Sequence, residues 1–180
     1  MKYKKNDLVI DGFKPELLAR KYSTPLYCYS LKKIKENIIN FKKKFKNIKP
    51  LICFAVKANP NLAILREIGK SGLGADVVSI GELMKALKSG IKPNKIVFSG
   101  VGKTENELKA AIKNKVLLIN IESESEAKLI DKISKKMKKI TSIGIRINPG
   151  VDANTLSKIS TAKLDSKFGL PKKNFLNFCK

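Results

Sequence analysis

The chain reads as an α/β protein built on a parallel sheet, and three observations carry that reading. Short apolar runs recur over 51–56, 75–79, 95–99, 116–121 and 141–147. The intervals between them carry apolar residues at helical spacing or helix-capping signals. The runs are near-continuous in apolar character, as strands covered on both faces are. Strand and helix alternating in this way indicate a parallel sheet with helices packed on its outside.

Residues 2–21 mix polar and apolar character, and Pro15-Glu-Leu-Leu-Ala-Arg20 suits a short helix with proline in its first turn. Thr24-Pro-Leu-Tyr-Cys-Tyr-Ser30 reads as a strand. Leu31, Ile34, Ile38, Phe41 and Phe45 then recur at helical spacing, with Ser30 as the cap. The run 51–56, bounded by Pro50 and by Asn59 and Pro60, is the first buried strand and leaves Lys57 at its carboxyl end. Asn61 starts a helix through Ile64, Leu65 and Ile68 that Ser71 and Gly72 stop. The second strand, 75–79, leads into a helix over 80–89 ended by Gly90. Pro93 and Asn94 turn the chain into the third strand, after which Thr104-Glu-Asn-Glu107 is a capping box. The fourth strand runs to Ser123-Glu-Ser-Glu126, which caps a further helix, and the fifth is closed by Asn148-Pro149-Gly150.

With 180 residues and 43% hydrophobic content, the chain can bury a sizeable core as one domain or part of one. Its 38 basic against 15 acidic residues leave a formal charge of +23, which raises nucleic-acid binding as a possibility. Arginine, favoured for base readout and phosphate forks, occurs only at Arg20, Arg66 and Arg146, and the lysines are spread over nearly every segment. A solvated lysine-rich surface without a nucleic-acid partner is the expectation. No apolar run is long enough for a membrane span and the amino terminus lacks a secretory pattern, so no membrane partner and a cytoplasmic location are expected. Cys28, Cys53 and Cys179 are odd in number and lack ligand spacing, which indicates free thiols. Histidine is absent, which excludes His-dependent triads and zinc sites from this segment, and no metal is expected.

An ammonium at the end of a buried strand is costly unless it is paired, faces a cleft or is converted to an uncharged group. Lys57 therefore stands out, because sites in parallel α/β folds are built at the carboxyl ends of strands. The plainer alternative is one lysine among many on a solvated rim. Asp76 and Glu82 are equally a strand-end turn residue and a first-turn helix acid favoured by the macrodipole. Arg146, between Ile145 and Ile147, points to the opposite face from both. If the isoleucines pack under helices, that face is interior and the guanidinium needs an anionic partner. Gly100-Val-Gly102 followed by Lys103 is either an anion-holding turn or an ordinary strand-to-helix turn. Gly72-Leu-Gly74 lacks the third glycine of a dinucleotide site and is more simply a helix stop.

Phe54-Ala-Val-Lys-Ala-Asn59, Gly72-Leu-Gly-Ala-Asp-Val-Val-Ser-Ile-Gly-Glu82 and Phe98-Ser-Gly-Val-Gly-Lys-Thr104 together resemble the diaminopimelate decarboxylases, pyridoxal-phosphate enzymes with an alanine-racemase-type barrel. The resemblance runs from about Thr24 to Gly169. It implies a partial (β/α)8 TIM-type barrel of about five βα units, with the carboxyl-terminal barrel half and the β domain missing. Residues 1–30 would be an amino-terminal segment with a leading strand, and 31–180 the amino-terminal part of the cofactor-binding barrel. The cofactor implied is pyridoxal 5'-phosphate, with Lys57 the catalytic lysine that holds its aldehyde as an imine. Asp76, Glu82 and Arg146 match positions around the cofactor, and Arg146 is expected to pair with Asp76 or Glu82. In the family, the carboxylate that partners the ring nitrogen and the glycine-rich phosphate loop come from the later half of the fold.

The activity implied is decarboxylation of meso-2,6-diaminopimelate to L-lysine, a step of lysine biosynthesis on a small amino-acid substrate, by a homodimer when full length. The chain by itself is expected to be an inactive fragment. A decarboxylase of ornithine, arginine or carboxynorspermidine and a non-catalytic pyridoxal-phosphate-binding barrel are the alternatives. Ile159-Ser-Thr161 and Ser166-Lys-Phe-Gly169 match the segment after the fifth strand. Leu156 stands there where histidine is expected and Ala162 where glycine is, and a leucine makes no hydrogen bond to a substrate.

Overall fold

The computed structural model describes residues 2–151 and 168–171, so Leu156, Ala162, Cys179 and the motif at 159–161 lie outside the described residues. The chain forms two compact units, Met1–Pro50 and Leu51–Lys180, so the long helix after Ser30 belongs with the amino-terminal unit.

The first unit opens with an antiparallel hairpin, β1 (Lys2–Lys4) and β2 (Asp7–Val9), in the register Lys2 to Val9. Helix α1 (Pro15–Tyr22) carries its proline in the first turn, as the fixed φ of that residue favours. Residues 24–30 were expected as a strand but pair with no other backbone edge among the described residues, and Tyr27 is 84% exposed. A strand is stable only against a partner, and alternation of apolar residues by itself does not supply one. Helix α2 (Leu31–Lys44) starts where Ser30 Oγ accepts from the Lys33 amide at 3.0 Å. The Ser30 hydroxyl donates at 2.7 Å to Asp11, whose other oxygen accepts from the Lys32 amide. Those bonds, the hydroxyl's first, hold the Asp11 carboxyl below its ordinary range.

The second unit is a five-stranded parallel sheet in sequence order: β3 (Cys53–Ala55), β4 (Gly74–Val77), β5 (Ile96–Phe98), β6 (Leu118–Ile121) and β7 (Ile143–Ile145). Helices α3 (Leu62–Lys70), α4 (Ile80–Lys88), α5 (Glu105–Lys113) and α6 (Glu124–Met137) join them. Each starts at a side-chain cap, from Asn61, Ser79, Thr104 and Ser123 in turn. Past β7 the edge continues as β8 (Ile147–Asn148), which pairs in parallel with β9 (Leu170–Pro171), a short strand outside the five expected. Two residues carry too little apolar pattern to be read from sequence.

Side chains alternate between the two faces of the sheet. Ala75, Val77, Ile96, Phe98, Ile119 and Ile121, each 0% exposed, share one face and pack with Leu65, Leu83 and Leu108, also 0% exposed, from the helices. This layer is the hydrophobic core, and each Leu, Ile, Val or Phe fully buried there contributes roughly 1.5–3 kcal/mol. The paired register puts Ala55, Asp76 and Val97 in one row of the opposite face, and Asn120 beside Gly144 in another. Gly74 sits on that second face with no room for a side chain, since a Cβ would collide with the Lys95 carbonyl and lie 2.8 Å from Cys53 Sγ.

The capping box of α5 joins two helix starts. The Glu107 carboxylate accepts from the Thr104 amide at 2.9 Å and from the Ile80 amide at 3.0 Å. Those backbone bonds, Thr104's foremost, hold its carboxyl below the ordinary 4.5. A depressed folded-state pKa means a contribution present above the unfolded pKa and lost as pH falls through the folded one. Glu107→Gln is expected to lower stability by about 1 kcal/mol at pH 6. The gap to wild type should narrow as pH falls below that ordinary value, in urea titrations at both pH values; a gap that widens in acid would contradict this role.

Candidate functional site

The carboxyl ends of the five strands open into a cavity of about 620 Å³ lined by Lys57, Asp76, Val78, Ser99, Gly100, Val101, Asn120, Glu122, Ile145, Arg146 and Phe168. The volume is in the range of small-ligand sites. Three of the four residues singled out in the sequence therefore meet in one cavity: Lys57, Asp76 and Arg146. Lys57 stands in a single 3-10 turn, Val56–Ala58, directly after β3. Val56 beside it is fully buried while Lys57 is exposed, so the turn anchors its backbone on the core and releases the side chain. Among the described residues no hydrogen bond or ion pair holds the Lys57 ammonium.

Asp76 is fixed by a chain of hydrogen bonds: Ser99 Oγ donates to Asp76 Oδ1 at 2.6 Å, and Asn120 Nδ2 donates to Ser99 Oγ at 3.0 Å. Ser99 and Asn120 were not singled out in the sequence. A signal was present, because Ile119-Asn-Ile121 sets one polar residue between two buried isoleucines, as Ala75-Asp-Val77 does around its aspartate. Below this chain Cys53 shares the inner face, where burial first, and the Asp76 charge second, push its thiol pKa up.

Arg146 lines the cavity without the burial of its flanking isoleucines that was expected, since Ile145 lines the same cavity and Ile147 is exposed, and its partner is neither Asp76 nor Glu82. Its Nη1 donates to Glu122 Oε1 at 3.2 Å, and the guanidinium lies 4.6 Å from the centre of the Phe168 ring. The Glu122 side chain is 5% exposed and its other oxygen accepts from the Gly169 amide at 2.9 Å. Gly169 has φ 74°, and a Cβ there would press on the Arg146 backbone. The expected pairing failed because Glu122 sits on the neighbouring strand end, both it and Arg146 directly following the Ile121–Ile145 pair, whereas Asp76 lies two strands further across the sheet.

Glu82 is not among the residues lining the cavity. Its Oε2 accepts from the Val78 amide at 2.9 Å while its own amide donates to the Ser79 cap, so it reaches the cavity through the backbone of Val78. The same device recurs at the fourth turn, where Glu126 Oε2 accepts from the Glu122 amide at 2.9 Å. Lys103, open to an anion-holding reading in the sequence, turns inward instead. Its Nζ donates to Gly100 O at 2.7 Å, Asn120 O at 2.6 Å and Glu126 Oε1 at 2.7 Å, and its side chain is 2% exposed. All three of its protons are used, so Gly100-Val-Gly102 is a strand-to-helix turn clamped from beneath. No cluster of metal-ligating side chains occurs among the described residues, and no described helix is long and apolar enough to cross a membrane.

Fold and cavity define the class: a parallel barrel-type sheet whose strand ends carry a carboxylate and a lysine that bonds to none of the described residues. The family model described as the pyridoxal binding domain of pyridoxal-dependent decarboxylases matches residues 31–178, and the chain belongs to that family. Among curated proteins, diaminopimelate decarboxylase of Helicobacter pylori (strain J99) is 49% identical over 164 residues, covering 91% of this chain and 40% of the relative. Diaminopimelate decarboxylase of Aquifex aeolicus is 44% identical over 170 residues, covering 94% and 40%. The crystal structure of the Helicobacter pylori diaminopimelate decarboxylase complexed with L-lysine matches with a TM-score of 0.87 at 46% identity, over 91% of this chain and 42% of that one. The Paramecium bursaria Chlorella virus arginine decarboxylase, at 20% identity and a TM-score of 0.61 over 81% of this chain and 36% of that one, shares the fold alone. The chain spans about two fifths of the length of the curated relatives it matches.

Proposed function

We propose that the chain is the lysine-bearing part of a diaminopimelate decarboxylase, a carboxy-lyase that converts meso-2,6-diaminopimelate to L-lysine with release of carbon dioxide. The observation that carries the reading is the Lys57 amine, bonded to none of the described residues, in a cavity it shares with Asp76 and Arg146. The identities of 44–49% to diaminopimelate decarboxylases favour that substrate over ornithine or arginine.

The donor set fits pyridoxal 5'-phosphate. The Lys57 amine would hold its aldehyde, Asp76 would balance charge on the lysine side, and Arg146 would face an anionic group of the ligand. The bound cofactor supplies an electron sink for the pair left behind when the carboxylate departs. The chain's own residues prepare the site. Ser99 and Asn120 fix the Asp76 carboxylate in one orientation, Glu122 holds Arg146 against the cavity wall, and Glu82 steadies Val78 from behind. A wall fixed before the ligand arrives loses less ordering entropy on binding. As part of an amino-acid biosynthetic enzyme, the protein would work in the cytoplasm, and two full-length copies would complete the site between them.

The test is carbon dioxide release by the protein carrying this chain, loaded with pyridoxal phosphate and offered meso-diaminopimelate, L-ornithine and L-arginine in parallel. Turnover confined to diaminopimelate is expected. Faster turnover of ornithine or arginine would move the reading to a related decarboxylase, and cofactor uptake with no release from any substrate would make it a non-catalytic binding barrel.

A further inference from the structure

We propose that Lys103, with Glu126, is a positioning residue for the candidate site, acting through the ends of β5 and β6 without touching the ligand. The inference rests on the reading of the Lys57 cavity as the cofactor site. Lys103 is not among the residues lining that cavity, yet two of its three acceptors, Gly100 O and Asn120 O, belong to residues at the strand ends that are, and the third, Glu126, lies in α6. Gly100 O follows Ser99 directly, so that bond fixes where the Ser99 hydroxyl meets Asp76. Asn120 O belongs to the residue whose amide donates to Ser99, so the second bond sets the other end of the same chain. The third acceptor, Glu126, uses its remaining oxygen on the Glu122 amide, and Glu122 in turn holds both Arg146 and the Gly169 amide.

One buried ammonium therefore ties together the supports of both the acidic and the basic side of the cavity. A buried ion pair is a poor source of stability by itself, because desolvation offsets most of its attraction. Apolar residues of similar volume would fill the same space, so stability alone does not call for this pair. What apolar residues cannot supply is the set of directed bonds to Gly100, Asn120 and Glu122.

That difference gives the test. Lys103→Met strands the Glu126 carboxylate and should lower stability, whereas Lys103→Met/Glu126→Leu removes both charges and should regain most of it. If Lys103 positions the site, the double variant still binds pyridoxal phosphate on the order of tenfold to a hundredfold more weakly than wild type. Its Gly169 amide also exchanges with solvent faster, measured without cofactor. Affinity and Gly169 protection that return together with stability would overturn the proposal and leave the pair a packing feature. The exchange readout needs no cofactor, so it decides the matter even if Lys57 proves not to hold pyridoxal phosphate.

Discussion

Lys57→Ala is expected to lower decarboxylation of diaminopimelate by at least about a thousandfold, the scale on which loss of a covalent catalytic group is felt. Only an amine can join the aldehyde, and the described residues offer no second free amine in the cavity to replace it. Lys57 is the lysine among the residues lining the cavity, and Lys103, nearby in the fold, has its three protons committed to Gly100, Asn120 and Glu126. The substituted side chain is exposed on a turn whose anchor is Val56, so the fold should survive and the loss should fall on kcat. Steady-state kinetics with circular dichroism as the control would check this. A variant that keeps more than a tenth of the wild-type rate would remove Lys57 from the chemistry.

The largest stability effect is expected at Lys103. Lys103→Met leaves the Glu126 carboxylate 9% exposed and without its cation, and breaking one side of a buried pair costs roughly 3–5 kcal/mol. Surface pairs such as Lys135 with Asp131 should cost little, since both members are more than half exposed. Urea unfolding of Lys103→Met and Asp131→Asn separates the two regimes, and equal midpoints would contradict the burial argument.

The elements of the sheet unit were largely legible in the sequence because strand and helix there obey local rules. Apolar runs mark β3 to β7, and Asn61, Thr104 and Ser123 cap helices whose apolar faces cover one side of the sheet. The observed strands are shorter than the apolar runs, since β3 ends at Ala55 and gives way to the turn that carries Lys57. What local pattern does not encode is partnership between distant residues. The segment 24–30 has strand character and pairs with nothing described, while β9 has almost no pattern and pairs with β8.

The site divides in the same way. Asp76 and Arg146 are visible as single polar residues in apolar strands, and Lys57 as a charge at a strand end. Arg146 was rightly expected to need an anion, but the choice of Glu122 depends on which strands are neighbours. Lys103 shows the limit from the other side. The sequence leaves it open to an anion, and only the approach of Asn120 and Glu126 from the next βα unit turns it inward.

Whether Lys57 holds pyridoxal phosphate is decided by incubating the protein with the cofactor, reducing with borohydride and locating the added mass by peptide mapping. Modification of the peptide carrying Lys57, and its loss in Lys57→Ala, is the predicted result. Label spread over many of the surface lysines, with Lys57 no more modified than the rest, would contradict the account.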